Sequence, residues 1–535
     1  ESNKVGKSRP AMFRWAILLC VPVVAQECLA GSLVQTKRSI AKSKVQLVHL
    51  TRHDAPWVLE GPAHFNPHHY VAKVSELKPA RNSSALPGLA LALTLLSVVA
   101  LLGLSLREKE PKAFVGGHGS EGLSTWDATV ATFSGIVGVG VLSMPYAISR
   151  GGLVIAPLIL VVVGCSAYTA HLLVWAFQEL QQRSPLAGGL RPLGDEGMSG
   201  SSPFDGRALC GESKFSWGFV MEAAFGPKIR TATNLFIFLE TWGYLLSYTV
   251  GAAMNISQCI GEPNSETWAV LLSVAFAYAL SIPRNLTKLH GFSTCVYIAC
   301  LAMVCLSGLL LPERGSLSEL SAFDGHGLFS VAGILVFSPA AHAFFPDIQR
   351  RMQRPQNYPL CLKGAYSAAA ALYLSVGLAG CLLFGHAVKP SAIQNVGWTR
   401  DFRPLPHMHW MAAASAAGMA IRLLVMQAYV LPTLTSSLCG VTGCSSQGVL
   451  LTSILAASGG AAACFAQQLT VLLNCIGGAI CANIAFTMPV LCYWKLSRQT
   501  RTLPWFEQLG LALLFLMGAC FSMLGVFSFT WMRTM

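Results

Sequence analysis

The sequence predicts an all-α integral membrane protein with eleven core transmembrane helices and one further helix before them. Three observations support this prediction. The chain has 535 residues, of which 53% are hydrophobic and only 11% are charged, whereas soluble domains carry roughly 25% charged residues. Apolar segments long enough to span a bilayer follow one another from residue 86 onward. Two of these segments, five apart in order, are interrupted by Gly and Pro.

The first 106 residues are expected to form three parts before the core. Residues 1–31 have the basic start and apolar run of a targeting signal, which is either cleaved or kept as a signal anchor. Residues 32–85 are predicted to be a polar, basic linker. Residues 86–106 are uncharged and Arg107 and Lys109 follow, as in an extra transmembrane helix with a stop-transfer pattern. Such a start fits entry into the secretory pathway and a plasma or vacuolar membrane, and also a plastid leader.

The core domain, residues 120–530, contains eleven apolar segments, and a short amphipathic piece, Trp217–Phe225, is expected at the membrane surface. The segments are residues 123–148, 153–175, 232–256, 268–282, 292–311, 328–352, 362–384, 410–434, 449–465, 469–493 and 506–529. If segment 123–148 begins in the cytosol, most Lys and Arg between segments lie on the cytosolic side. The positive-inside rule therefore favours this orientation.

The first and sixth core segments are poor continuous helices. The first contains Gly135, Gly138, Gly140 and Pro145, and the sixth contains Pro339 with other small residues around it. Non-helical backbone at membrane depth is tolerated only where it is buried or lines a cavity. Because the two segments correspond in a five-plus-five arrangement, they predict inverted repeats with a ligand site near the midplane. Each break alone has a plainer interpretation as a kink or a Gly packing face.

Residues 134–147 resemble the first-helix signature of the amino acid/auxin permease family, although Ser134 stands where the family has Asn. Further matches to that family lie at Ala224-Phe225-Gly226, Phe337-Ser338 with His342, Pro346 and Met352…Pro355, Phe384-Gly385, and Ile476-Gly477-Gly478 with Phe486, Pro489 and Tyr493. Glu240 with Tyr248 and Val336-Phe337-Ser338 resembles the vesicular inhibitory amino acid transporter branch. The resemblance covers about residues 120–530 and implies a leucine-transporter-like fold and amino acid substrates.

An amino acid needs partners for a carboxylate and an ammonium group. Free N–H groups at 138–140, at the start of a half-helix, suit the carboxylate, and free carbonyls around 337–341 suit the ammonium. The candidate substrate-binding residues are Ser134, Gly135, Gly138, Gly140, Tyr244, Tyr248, Phe337, Ser338 and His342. The tyrosines and His342 also have interpretations as packed core side chains.

Glu240 and Arg422 are ionisable groups at membrane depth and are the candidates for ion coupling. A carboxyl group in this setting favours its neutral form and could carry a proton; the alternative is a structural hydrogen bond to a neighbouring helix. Arg422 is costly unless it is paired or hydrated. It could pair with Glu240, bind helix-end carbonyls, or face the first helix and take the place of a sodium ion there. We expect proton-coupled or ion-independent rather than sodium-coupled transport.

The sequence does not favour an enzyme, because it has neither a Walker loop nor a His-Glu-x-x-His motif. Its 17 Cys are scattered without metal-ligand spacing, so neither a metal nor a cofactor is expected. The net charge of +13 does not indicate nucleic acid, since no basic run is interleaved with aromatic residues. We expect secondary active transport of amino acids across a lipid bilayer by alternating access. The alternatives are a non-transporting amino acid sensor and a channel-like pore.

Overall fold

The computed structural model describes residues 122–183, 216–260, 266–281, 286–311, 319–442, 448–465 and 469–534. The parts predicted at 1–31, 32–85 and 86–106 lie outside the described residues. The described residues contain no β-strand. Two isolated β-bridges join Leu123 to Met352 and Trp398 to Pro404. The molecule is therefore all-helical where it is described.

The described α-helices follow the predicted segments closely. They are α1 (Thr125–Ile136), α2 (Gly140–Gly151), α3 (Ile155–Arg183), α4 (Trp217–Phe225), α5 (Pro227–Ile260), α6 (Glu266–Ser281), α7 (Leu286–Leu309), α8 (Gly325–Phe337), α9 (Phe345–Arg350), α10 (Tyr358–Phe384), α11 (His409–Thr442), α12 (Gly448–Phe465), α13 (Leu469–Ile476), α14 (Met488–Ser497) and α15 (Trp505–Thr534). Each of the eleven predicted segments overlaps at least one of these helices.

The protein is a multi-pass membrane protein. Seven of the described helical stretches are long and apolar enough to cross a bilayer, and α1 with α2 adds an eighth if that bent pair is one span. Shorter apolar helices lie at Thr267–Leu280 and Leu451–Cys464. The count of eleven core spans with one extra helix, and their inverted-repeat layout, stay predictions.

Both predicted breaks are present. Helix α1 ends at Ile136 and α2 begins at Gly140, with a bend of 46° between them. Helix α8 ends at Phe337, and a 3₁₀ turn, His342–Phe344, leads into α9. Pro339 lies in the second break, where its missing N–H leaves no hydrogen bond unmade.

The tenth predicted segment is also irregular, which the sequence did not indicate. Two π-helical turns, Gly477–Cys481 and Asn483–Thr487, separate α13 from α14. Gly477 packs against the backbone of Gly333 in α8, leaving no room for a Cβ atom. The Asn474 side-chain oxygen accepts a hydrogen bond from the Ile334 N–H at 3.1 Å, and its amide nitrogen donates one to the Ser330 carbonyl. These contacts fix α8, and hence the second break, against the tenth segment.

Candidate substrate site

The two breaks touch each other in the buried core. Gly140, the first residue of α2, lies against Ser338, which follows α8. A Cβ atom at Gly140 would approach within 2.7 Å of Ser338 Cβ and 2.9 Å of its Cα. Only glycine permits this approach. Gly140 therefore packs directly on the second break, an arrangement that the five-segment spacing alone did not specify.

Three tyrosine hydroxyls bind successive carbonyls of the second break. Tyr373 Oη lies 2.6 Å from the Ser338 carbonyl, Tyr366 Oη 3.2 Å from that of Pro339, and Tyr244 Oη 2.7 Å from that of Ala340. The prediction that carbonyls at 337–341 are free is wrong for these three. A buried carbonyl without a donor is costly, and the tyrosines supply that donor.

Carbonyl groups of the first break also accept hydrogen bonds from tyrosines, whereas one of its backbone N–H groups has no described acceptor. Tyr373 Oη lies 2.8 Å from the Ile136 carbonyl as well, and Tyr297 donates to the Gly138 carbonyl at 2.8 Å. In the described part of the chain the Gly140 N–H has no acceptor. Since first-turn amides of a helix lack intrahelical partners, this end of α2 can bind an anion.

Arg422 of α11 is buried and faces the first break. Its Nη2 donates to the carbonyls of Ser134 and Val137, at 2.6 and 3.1 Å. Its Nη1 donates to the hydroxyls of Ser293 and Thr294 on α7, at 2.9 and 3.3 Å. Of the alternatives for Arg422, the structure therefore shows binding to helix-end carbonyls of α1. The cation lies at the negative end of the α1 dipole.

Glu240 of α5 is fully buried and lies near the second break. Its Oε1 is 3.0 Å from Tyr244 Oη, and its Oε2 has no hydrogen-bond partner in the described residues. None of the hydrogen bonds described for Arg422 reaches Glu240. Arg422 thus bonds to the first break, whereas Glu240 contacts Tyr244, which bonds to the second break.

The aromatic candidates lie together between the breaks. Tyr244 stacks on Tyr248, with centroids 6.1 Å apart, and meets Phe337 edge-on at 5.1 Å. A Cβ atom at Gly138 would lie 3.3 Å from Tyr248 Oη. Tyr248 therefore reaches the first break, and Tyr244 the second.

Three other predicted residues are less central. The Ser134 hydroxyl pairs with that of Thr294 at 2.6 Å. Gly135 is buried, but no atom lies within 4 Å of a Cβ atom added there. His342 Nε2 pairs with the Thr169 hydroxyl of α3 at 3.1 Å, while the Trp217 indole of α4 donates to the His342 carbonyl at 2.8 Å. The side chains of Ser134 and His342 therefore bond to neighbouring helices.

The sequence interpretation missed several side chains that complete the site. They are Ser293, Thr294 and Tyr297 on α7, and Tyr366 and Tyr373 on α10. One signal was available: Tyr366 and Tyr373 are seven residues apart, which places both hydroxyls on one face of an otherwise apolar helix.

A small cavity lies beside the first break, next to the loop that precedes α11. Its lining includes Val139, Leu142, Asn255, Ser391 and Gln394, and its volume is about 10 Å³, room for about one water molecule. An amino acid does not fit there. The carbonyls of Ser338, Pro339 and Ala340 are each in contact with a tyrosine hydroxyl.

The sequence is similar to known membrane transport proteins. The sequence pattern of a family described as transmembrane amino acid transporter protein matches residues 121–533. Amino acid transporter AVT1D of Arabidopsis thaliana is 24% identical over 67% of this chain and 61% of its own length. Vacuolar amino acid transporter 3 of Schizosaccharomyces pombe is 23% identical over 54% of this chain and 41% of its own.

A vesicular GABA transporter of Caenorhabditis elegans is 26% identical over 26% of this chain and 30% of its own length. The matches to these three relatives thus span between about a third and three fifths of the relatives' lengths. The expected resemblance to amino acid permeases, including a vesicular transporter, is confirmed.

Proposed function

The chain belongs to the transmembrane amino acid transporter family, and we propose that it carries amino acids across its membrane by alternating access around the two breaks. The family and the similar proteins are transporters and not enzymes. The observation that supports this proposal best is the contact of the two breaks at Gly140 and Ser338, with Tyr373 bridging their carbonyls.

The groups around the breaks suit the two charges of an amino acid. The substrate carboxylate would take the Gly140 amide at the positive end of α2. The ammonium would take the carbonyls of Ile136 and Ser338 in place of Tyr373. The Tyr373 hydroxyl has one hydrogen for these two acceptors, whereas an ammonium group has three. A substrate ammonium that replaces the hydroxyl can therefore donate to both carbonyls.

Alternating access follows from the proposed inverted repeats. The α1–α2 pair opens the first repeat and the α8–α9 pair opens the second, with the binding groups at the breaks between their halves. Rocking of one repeat against the other would expose this site to each side in turn.

Transport is proposed to be proton-coupled or ion-independent. Arg422 holds a permanent positive charge between α1 and α11. A sodium ion about 4 Å from that charge would be repelled by roughly 4 kcal/mol at an effective dielectric of 20. Glu240 is the candidate proton carrier, because a buried carboxyl group is stable when neutral and can ionise when hydrated.

A counterflow assay tests the proposed function. The purified full chain is reconstituted in proteoliposomes, and each of the twenty standard amino acids is offered in radiolabelled form against unlabelled internal pools. Saturable uptake that internal substrate stimulates would support transport. Binding without flux would favour the sensor, and uptake that does not saturate would favour a pore.

A further inference from the structure

The Tyr244 hydroxyl has one hydrogen but two close oxygen neighbours. It lies 2.7 Å from the Ala340 carbonyl and 3.0 Å from Glu240 Oε1. A carbonyl oxygen can only accept. The hydrogen of Tyr244 therefore completes one of the two contacts, and the other contact needs a hydrogen from elsewhere.

A protonated Glu240 completes both contacts. Its O–H donates to Tyr244 Oη, and the Tyr244 O–H donates to the Ala340 carbonyl. With an ionised Glu240 the same geometry would hold two acceptors around one hydrogen. From this proton count we propose that Tyr244 is a positioning residue that links the protonation of Glu240 to the Ala340 carbonyl of the second break. This inference rests on the proposed proton-coupled transport.

Loss of the proton from Glu240 reverses the arrangement. The proton leaves the carboxyl group for water on the side to which the site is open, and Tyr244 keeps its own proton. The Tyr244 O–H then turns to the carboxylate, because hydrogen bonds to an ionised group are the stronger ones. The Ala340 carbonyl loses its donor and becomes available to the substrate ammonium. Substrate and proton therefore compete through Tyr244.

In the described part of the chain, no other ionised group lies close enough to Glu240 to take the place of the link through Tyr244. The titratable groups that act on Glu240, or that it acts on, are Tyr244 and Tyr248 on its own helix, Tyr366 on α10, and Cys481 between α13 and α14. All four are of types that are neutral near pH 7. Arg422 acts on Tyr248 and is bonded to the first break, and His342 bonds to Thr169 on α3.

Tyr244→Phe separates this link from substrate binding. Proteoliposomes take up an equimolar mixture of the twenty radiolabelled amino acids, either by exchange without a gradient or by accumulation against an imposed pH gradient. We expect Tyr244→Phe to lower exchange, because the Ala340 carbonyl loses its donor, and to lower accumulation at least tenfold more than exchange. Glu240→Gln should likewise lower accumulation more than exchange. The double variant should lose no more accumulation than Glu240→Gln alone, since the two changes interrupt the same link.

Two matched controls remove a hydroxyl elsewhere. Tyr168→Phe changes an exposed tyrosine on α3 and should leave both rates unchanged. Tyr366→Phe removes the donor to the Pro339 carbonyl; it should lower exchange and accumulation by the same factor. Full accumulation by Tyr244→Phe, or an equal loss of exchange and accumulation, would overturn the inference.

A measurement on the unaltered chain remains decisive if a variant does not fold. The infrared band of a protonated carboxyl group should weaken when the amino acid mixture is added at fixed pH, because substrate favours ionised Glu240. A band that substrate does not change would overturn the inference. By contrast, wild-type accumulation that ignores the pH gradient while exchange persists would refute proton coupling itself.

Discussion

Arg422 shows how one buried side chain can bond to oxygen atoms of two helices. It is a charged group in the core of a membrane protein. Its bonds to two carbonyls at the end of α1, those of Ser134 and Val137, and to two hydroxyls of α7 offset the cost of burial. The guanidinium suits this task because its donors spread in one plane toward several acceptors. These four oxygens are also the kind of ligands that a hard cation takes.

Removal of the guanidinium should therefore open a cation site. Arg422→Ala leaves the carbonyls of Ser134 and Val137 without donors, at about 1–3 kcal/mol for each unsatisfied group. We expect uptake in choline medium to fall at least tenfold and to recover in part when sodium replaces choline. Arg498→Ala, at an exposed arginine, is the control and should show neither effect. Equal uptake by Arg422→Ala in both media would contradict the assignment.

Gly140 offers a second test at the scale of one residue. A single methyl group there would overlap the Cβ and Cα atoms of Ser338, so Gly140→Ala should abolish uptake while membrane insertion persists. Gly164→Ala on α3 is the matched control, because nothing lies within 4 Å of its added Cβ atom. Normal uptake by Gly140→Ala would show that the breaks do not need this approach.

At the scale of the helices, the breaks could be predicted, with Tyr244 and Arg422 as candidates to contact them, and their other partners could not. Gly138, Gly140 and Pro339 signal weak helix locally, because their backbone properties do not depend on the rest of the chain. The other hydroxyls that bind the breaks come from α7 and α10, whose hydrophobic patterns do not show which face meets α1. The irregular turns of the tenth segment were missed because Gly477 packs on α8 only in the folded chain.

Tyr373 tests the coupling between helices. Its hydroxyl lies between the last carbonyl of α1 and the first carbonyl beyond α8. Tyr373→Phe leaves the Ser338 carbonyl without its donor, whereas the Ile136 carbonyl keeps the Gly138 N–H at 3.1 Å. At about 1–3 kcal/mol for such a loss, the change should lower the ratio of maximal uptake rate to KM about tenfold or more. Concentration-dependent exchange measures this ratio, with Tyr168→Phe as the control. An unchanged ratio would remove Tyr373 from the site.

At the scale of the whole molecule, the charge pattern predicts the orientation in the membrane. Residues 385–408, before α11, are expected opposite the cytosol, and the turn between α14 and α15 in the cytosol. Asp401→Cys and Arg498→Cys place thiols at exposed positions in these two regions. An impermeant maleimide should label them from opposite sides of sealed cells, relative to the parent chain. Labelling of both from the same side would contradict the predicted topology.

Proton-coupled or ion-independent transport by this chain is tested most directly by exchanging the driving ion. Proteoliposomes that contain the full chain are given the mixture of radiolabelled amino acids, with sodium or choline outside at fixed pH, and with or without an imposed proton gradient. Because Arg422 holds the α1 carbonyls, uptake should be the same in sodium and choline and should follow the proton gradient if it follows any gradient. Uptake that rises steeply with sodium and ignores the proton gradient would contradict proton-coupled or ion-independent transport.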